Sequence, residues 1–274
     1  MFSRISELLR ARGIELAAPI SLADCHITRP YLLAREGISD GTAVMLAVPY
    51  YTTECDNPAR NISAYAVSRD YHLFFKELFD EILPILRAEF PGHRFAGFAD
   101  HSPIAEAQAA VAAGLGFFGC NHLFLTKPYS SFVFLGEIIT DAPCAGGAKE
   151  PSFCPDCGAC RHACPVGLDV TRCVSALTQK KGALNADEEA AVLAHGFAWG
   201  CDRCQDGCPI TAAAKACGSI YSPIPFFAKQ AIAHLTAEAV RTMSEEEFAA
   251  RAYSWRGRDV ILRNLDLLTK GAAE

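Results

Sequence analysis

The stretch CPDCGACRHACP, Cys154 to Pro165, spaces four cysteines at steps of three, three and four residues and follows the last with a proline. This is the C-x2-C-x2-C-x3-C-P spacing of 4Fe–4S ligation. The reason for the spacing is geometric. Three closely spaced thiolates wrap one corner of a cubane while the loop amides point at the sulfurs, and the fourth opens a helical turn and faces a second cluster. A second loop, CDRCQDGCP, Cys201 to Pro209, repeats the C-x2-C-x3-C-P end and lacks the first cysteine, because position 198 is Ala198. Two cubanes, each held by four cysteines, need eight thiolates, and the two loops supply seven. Cys173, between the loops, is the candidate for the eighth. Its rival is Cys217, whose plainer reading is a small buried hydrophobe. The resulting assignment puts Cys154, Cys157, Cys160 and Cys208 on one cluster and Cys164, Cys173, Cys201 and Cys204 on the other. Structural zinc is the alternative, but zinc sites separate two C-x2-C pairs and do not call for this run.

Outward from these loops, cysteine density divides the chain. Of 13 cysteines, nine lie from Cys154 to Cys217, while Cys25, Cys55, Cys120 and Cys144 are scattered before them. The shift marks a boundary near Gly146-Gly147, in the linker-like APCAGGAKEPS. The expected organisation is an α+β domain over 1–146, a bacterial-ferredoxin-like domain with two clusters over 147–220, and a helical C-terminal segment over 221–274. A chain of 274 residues accommodates this. Its net charge of −6 does not force a nucleic-acid-binding surface. No apolar run reaches the length of a membrane helix. The N-terminus, MFSRISELLRARG, reads as an amphipathic helix of a cytoplasmic protein rather than a signal peptide. In a reducing compartment, clustered cysteines are metal ligands more often than disulfides.

The pattern before the boundary alternates between strand and helix. Ala43–Val48 suits a buried strand, and Arg94–Ala99, Leu123–Thr126 and Ser131–Thr140 read as further strands. Asp70–Phe90 carries apolar residues at helical spacing, with Pro84 as a kink or a restart. Ile104–Ala113 is helical and stops at Gly114. Beyond the boundary, helices are expected over Ala186–Ala194, Ile224–Val240 and Asp259–Lys270, and Ser244 with Glu247 forms a capping box that opens one more at Glu245.

Several blocks together resemble the epoxyqueuosine reductase family. They are YAVSRDYH (Tyr65 to His72), FADHSP (Phe98 to Pro103), AGLGFFG (Ala113 to Gly119) and FVFLGEIITD (Phe132 to Asp141), with RCVSALT (Arg172 to Thr178), GCDRCQDGCP (Gly200 to Pro209), MSEEEF (Met243 to Phe248) and LRN (Leu262 to Asn264). The resemblance implies a cobalamin-dependent enzyme with two 4Fe–4S clusters and a corrinoid held on a nitroreductase-like domain. It implies reduction of the epoxide of epoxyqueuosine to the alkene of queuosine at the tRNA wobble position. A reduced ferredoxin or flavodoxin-type donor would supply electrons. The substrate would be a tRNA anticodon stem-loop or the modified nucleoside. Cys173 falls on the family's extra ligand cysteine.

Asp100 falls on the family's proposed proton donor. Chemistry also wants an acid there, because an alkoxide leaves poorly unless it is protonated. The plainer reading is that Asp100 caps a helix starting near Pro103. Arg69, Tyr71, Gly116, Asn121 and Ser131, in or beside the matched blocks, are the candidate cofactor contacts. For Arg69 and Tyr71 a helix start is an equal reading, and for Gly116 a turn. His101 and His122 read as ordinary histidines rather than cobalt ligands.

The sequence departs from the family pattern in three places. It ends about where longer members begin a helical-repeat domain, Cys120 stands where lysine is common, and SWRGRD is less basic than expected. Two other classes therefore stay open. One is a ferredoxin-type electron carrier, which needs no corrinoid. The other is a corrinoid-reducing or corrinoid-activating iron–sulfur protein without epoxide reductase activity.

Overall fold

A computed structural model describes residues 1–143, 147–149 and 152–271. The expected boundary at Gly146, and Cys144, lie outside the described residues. The chain divides into two compact units, each built from separated segments.

The first unit comprises Met1–Tyr50, His72–Asp156 and Ser222–Ile224. It contains helices α1 (Phe2–Arg10), α2 (Pro30–Arg35), α3 (Tyr71–Glu89, whose first residue belongs to the second unit) and α4 (Glu106–Ala112). Strands β1 (Leu16–Ser21), β2 (Thr42–Pro49), β3 (Phe95–Phe98) and β6 (Val133–Thr140) form an antiparallel sheet in the order β1-β2-β6-β3. Strands β4 (Phe117–Phe118) and β5 (Phe124–Leu125) make a separate hairpin. The expected strand at Ala43–Val48 is β2, and all eight of its residues are buried, as a central apolar strand should be. The sequence reading did not include β1. Its Pro19 argues against a strand, and β1 takes the sheet edge, where a missing N–H is tolerated.

The two faces of this sheet pack differently. Ala43, Met45 and Ala47 of β2 lie in one core cluster with Ile139 of β6 and Ala109 and Ala110 of α4. On the other face, Gly136 of β6 and Gly97 of β3 leave room for aromatic residues of α3. A Cβ at Gly136 would sit 2.4 Å from the Phe75 ring, and one at Gly97 would sit 2.4 Å from Phe79. Because side chains alternate along a strand, Glu137 shares the α4 face with Ile139.

The second unit comprises Tyr51–Tyr71, Cys157–Tyr221 and Pro225–Glu274. This departs from the expected division at 146 and 220. Residues 51–71 join the cysteine-rich part, and the C-terminal helices are not separate from it. Hydrogen bonds explain the grouping. Ser63 N–H donates to Trp199 C=O, Asn61 N–H donates to Ala233 C=O, and Asn264 Nδ2 donates to the carbonyls of Thr178 and Ala198. Its helices are α5 (Ala159–Ala163), α6 (Val174–Thr178), α7 (Ala186–His195), α8 (Arg203–Asp206), α9 (Pro209–Ala216), α10 (Pro225–Ala228), α11 (Ala237–Thr242), α12 (Glu245–Ala249) and α13 (Arg258–Gly271). The capping box at Ser244 and Glu247 is formed.

The helix expected over Ile224–Val240 is broken into α10 and α11. Residues between them spend their backbone groups on other segments. Ile232 N–H donates to Val67 C=O, and Leu235 N–H donates to Asn61 Oδ1. Gln230 takes a left-handed φ of 59° and its carbonyl accepts from Arg251. These tertiary bonds override a helical composition.

Candidate functional site

Asp100 lies between β3 and α4. Its backbone is left-handed, with φ of 64°, a conformation that Asp tolerates better than most residues. Its side chain is 68% exposed, and Oδ2 lies 3.6 Å from His72 Nε2. Its N–H donates to Glu106 Oε1 at 3.1 Å. Asp100 is not a helix cap. Helix α4 begins at Glu106, its N-cap is Ala105, and no side chain caps it. The local turn is closed instead by Ser102, whose Oγ accepts from Ile104 N–H. Beside Asp100, His101 Nε2 contacts the Tyr31 hydroxyl at 3.2 Å.

Beneath this loop lies a pair of carboxyls, one buried and one half-buried, absent from the sequence reading. Glu137 is fully buried in β6, Ser102 Oγ donates to it, and its carboxyl contacts that of Glu106. Burial pushes the Glu106 carboxyl up to about 7 and holds Glu137 well above the carboxylate range. The signal was legible, since a lone glutamate inside the apolar run FVFLGEII is a charged residue at a core position.

The other candidate residues of this unit have local partners. Gly116 is pressed against the β4–β5 hairpin, where a Cβ would lie 2.1 Å from Leu125 O. Asn121 Oδ1 accepts from Leu123 N–H at 3.4 Å and shapes the hairpin turn. Ser131 is buried just ahead of β6. In the second unit, the Arg69 guanidinium stacks over Phe226 at 4.1 Å, and Tyr71 is the first residue of α3. Gly116 and Asn121 therefore have turn-forming roles.

The cysteine array falls mainly in the second unit. Helix α5 carries Cys160 and α8 carries Cys204, and these two helices pack together. Cys164 and Cys208, each followed by proline, adopt nearly the same backbone: φ −77°, ψ 124° and φ −79°, ψ 128°. The Cys201 thiol, raised to about 11 by burial, also interacts electrostatically with Cys173 and Cys164. Cys217 is exposed, bonds to Ser219, and is not the buried hydrophobe of the plainer reading. Cys154 lies in the first unit, with its sulfur 3.7 Å from that of Cys120, and Cys120 also contacts Asp156 at 3.0 Å. Cys157 is exposed. Among the described residues, no three His, Cys, Asp or Glu side chains close around a point as tightly as a bound metal ion requires.

The loop between Cys201 and Cys204 is fixed by Asp202, which is 1% exposed. It accepts from Arg60 Nη1 at 2.6 Å, Ser63 Oγ at 2.5 Å, Ala64 N–H at 2.7 Å and Gln205 Nε2 at 2.9 Å. Among the described residues, no helix is long and apolar enough to cross a membrane.

Comparison with known proteins bears on this arrangement. The family model described as Epoxyqueuosine reductase QueG, DUF1730 matches residues 39–101. The epoxyqueuosine reductase of Gloeobacter violaceus is 31% identical over 217 residues, covering 76% of this chain and 68% of that protein. That of Cyclobacterium marinum is 35% identical over 180 residues, 61% of this chain and 57% of that one. That of Bacillus subtilis is 32% identical over 209 residues, covering 72% and 52%. The chain thus spans between 41% and 68% of the length of these curated relatives and others like them. Among solved structures, the epoxyqueuosine reductase of Streptococcus thermophilus aligns with a TM-score of 0.79 at 21% identity, over 100% of this chain and 82% of that one. An epoxyqueuosine reductase solved with a tRNA-Tyr epoxyqueuosine-modified stem loop gives 0.75 at 23% identity, over 98% and 82%. These two likenesses establish the shared mixed helix-and-sheet fold. With the blocks around Asp100, the cysteine loops and this identity over two thirds of a curated relative, the chain belongs to the epoxyqueuosine reductase family.

Proposed function

We propose that this protein reduces epoxyqueuosine to queuosine, taking electrons from a reduced ferredoxin or flavodoxin-type donor through two 4Fe–4S clusters. The observation that carries the reading is Asp100. A carboxyl that caps no helix is held out from a left-handed turn, in a chain of this family. Removing an epoxide oxygen takes two electrons and two protons and gives an alkene and water. Asp100 supplies a proton to the oxygen as the C–O bond breaks, so that the leaving group is a hydroxyl and not an alkoxide. His72, beside Asp100, orients the carboxyl and is a candidate for restoring its proton.

Thiolate chemistry fits the clusters. By spacing, Cys154, Cys157, Cys160 and Cys208 hold one, and Cys164, Cys173, Cys201 and Cys204 hold the other. The proximity of Cys164, Cys173 and Cys201 supports the second set. Bound cobalamin would supply a reduced cobalt centre for electron delivery, as family membership implies. Arg69, Tyr71, Gly116, Asn121 and Ser131 remain the candidate corrin contacts, by their place in or beside the family's blocks. The seat of the corrinoid, on a domain of nitroreductase type, rests on the family alone. The substrate we favour is a tRNA anticodon stem-loop, because an epoxyqueuosine reductase structure holds an epoxyqueuosine-modified tRNA stem loop.

The test uses anaerobically reconstituted protein with epoxyqueuosine supplied as the nucleoside and in a stem-loop. The expected result is conversion of the stem-loop, with corrin absorption bands perturbed on binding. Asp100→Asn keeps iron and corrinoid and slows conversion by on the order of 10²–10⁴-fold, the usual worth of a general acid. An Asn variant with normal turnover removes Asp100 from the mechanism. Iron without corrinoid retention or conversion favours the electron-carrier reading.

A further inference from the structure

Glu137 is a carboxyl in the middle of an apolar strand. Its cross-strand neighbours are Met45 and Phe98, and it has no exposed surface. Ser102 Oγ donates to its Oε1, its buried Oε2 has no hydrogen-bond donor, and the Glu106 carboxyl is its electrostatic neighbour. Glu106, at the start of α4, accepts the Asp100 N–H at its Oε1. Ionised carboxyls only accept, so two of them in contact cannot hydrogen-bond unless one proton lies between them. Burial favours keeping that proton. The other titratable and charged groups here are few. Arg29 donates to Ser102 C=O at 2.9 Å and draws the Glu106 carboxyl down, the Asp100 charge pushes it up, and the Cys25 thiol faces Glu137. His72 faces Asp100.

We infer that Glu106 and Glu137 share one proton and, through the Glu106 acceptor, hold Asp100 in its left-handed turn, which makes Glu106 a positioning residue for Asp100. The positioning role rests on the proposed part of Asp100 in proton donation. Loss of the shared proton puts two like charges in contact inside an apolar layer, and the anchor under Asp100 loosens. The direction with pH follows from the raised carboxyl. Glu106 holds its proton up to about 7 in the folded chain and only to about 4.5 when unfolded. Its contribution to stability is therefore full below about 4.5 and lost as pH rises through 7.

Two variants of the reconstituted enzyme separate anchoring from bulk. Glu106→Gln keeps an acceptor for the Asp100 N–H and gains an amide donor toward Glu137, whereas Glu106→Leu keeps volume and loses both. Glu106→Leu is expected to lower kcat by roughly 100-fold with KM changed by less than about threefold, because misplacing the acid by an ångström is enough for that loss. Glu106→Gln should recover most of the lost kcat and flatten the fall of urea midpoint between pH 5 and about 8 expected of the native chain. If Glu106→Leu turns over like the native enzyme, or Glu106→Gln is as slow as Glu106→Leu, the positioning role is overturned. An unchanged pH dependence of stability in Glu106→Gln overturns the shared proton. Normal turnover by Asp100→Asn, alongside an altered stability profile for Glu106→Gln, would instead sink the reading of Asp100 and leave the carboxyl pair standing.

Discussion

Replacing Asp202 with alanine should unfold the second unit far more easily, and the size of the effect follows from its four partners. Asp202 is 1% exposed and the Arg60 side chain only 8%, so the mutation takes from a buried guanidinium its close carboxylate and leaves only Asp206, at 3.6 Å. Breaking such a pair by removing one member destabilises by about 3–5 kcal/mol. The Ala64 N–H also loses its acceptor, adding on the order of 1 kcal/mol. At roughly 2–4 °C per kcal/mol for a chain of this size, the thermal midpoint should fall by roughly 8–24 °C. Urea unfolding, followed by circular dichroism on the cluster-free and reconstituted protein, reads the same change. Arg60→Met combined with Asp202→Ala should recover part of the loss, since the second change removes the orphaned charge. A midpoint shift equivalent to less than about 1 kcal/mol for Asp202→Ala would refute the claim that this aspartate organises the loop between Cys201 and Cys204.

Three further outcomes are expected. Gly136→Ala should destabilise by about 1–3 kcal/mol, because its Cβ would overlap the Phe75 ring, and Phe75→Leu in the same chain should recover part of that on urea denaturation. His195 is held down to about 4, chiefly by burial and then by the Arg203 charge, with Asp202 and Arg60 also acting on it. Its contribution to stability is present above about 6.5 and is lost as pH falls toward 4, so His195→Phe should flatten the acid side of a stability–pH curve. Cys173→Ser should remove about four of about eight irons from the reconstituted protein, while Cys217→Ser leaves iron unchanged. Metal analysis giving the reverse result would move the eighth ligand to Cys217.

Much of this protein was legible in its residues because the deciding features are local. The cysteine steps and trailing prolines in 154–165 and 201–209, the apolar run Ala43–Val48 of β2, the periodicity of α3 and the capping box at Ser244 each depend on a few neighbouring residues. Periodicity and spacing report such features directly. Tertiary structure alone decided the rest. Residues 51–71 join the cysteine-rich unit because Ser63, Asn61 and Arg60 find their hydrogen-bond partners more than 130 positions away. The helix expected over 224–240 yields to backbone bonds with Val67 and Asn61. The cap reading of Asp100 fails because α4 starts later, at Glu106. Glu106 and Glu137 lie 31 positions apart, and only antiparallel pairing of β6 beside β3 turns both toward the same loop. A carboxyl's partner and proton depend on which groups share its dry neighbourhood, and no one-dimensional pattern records that.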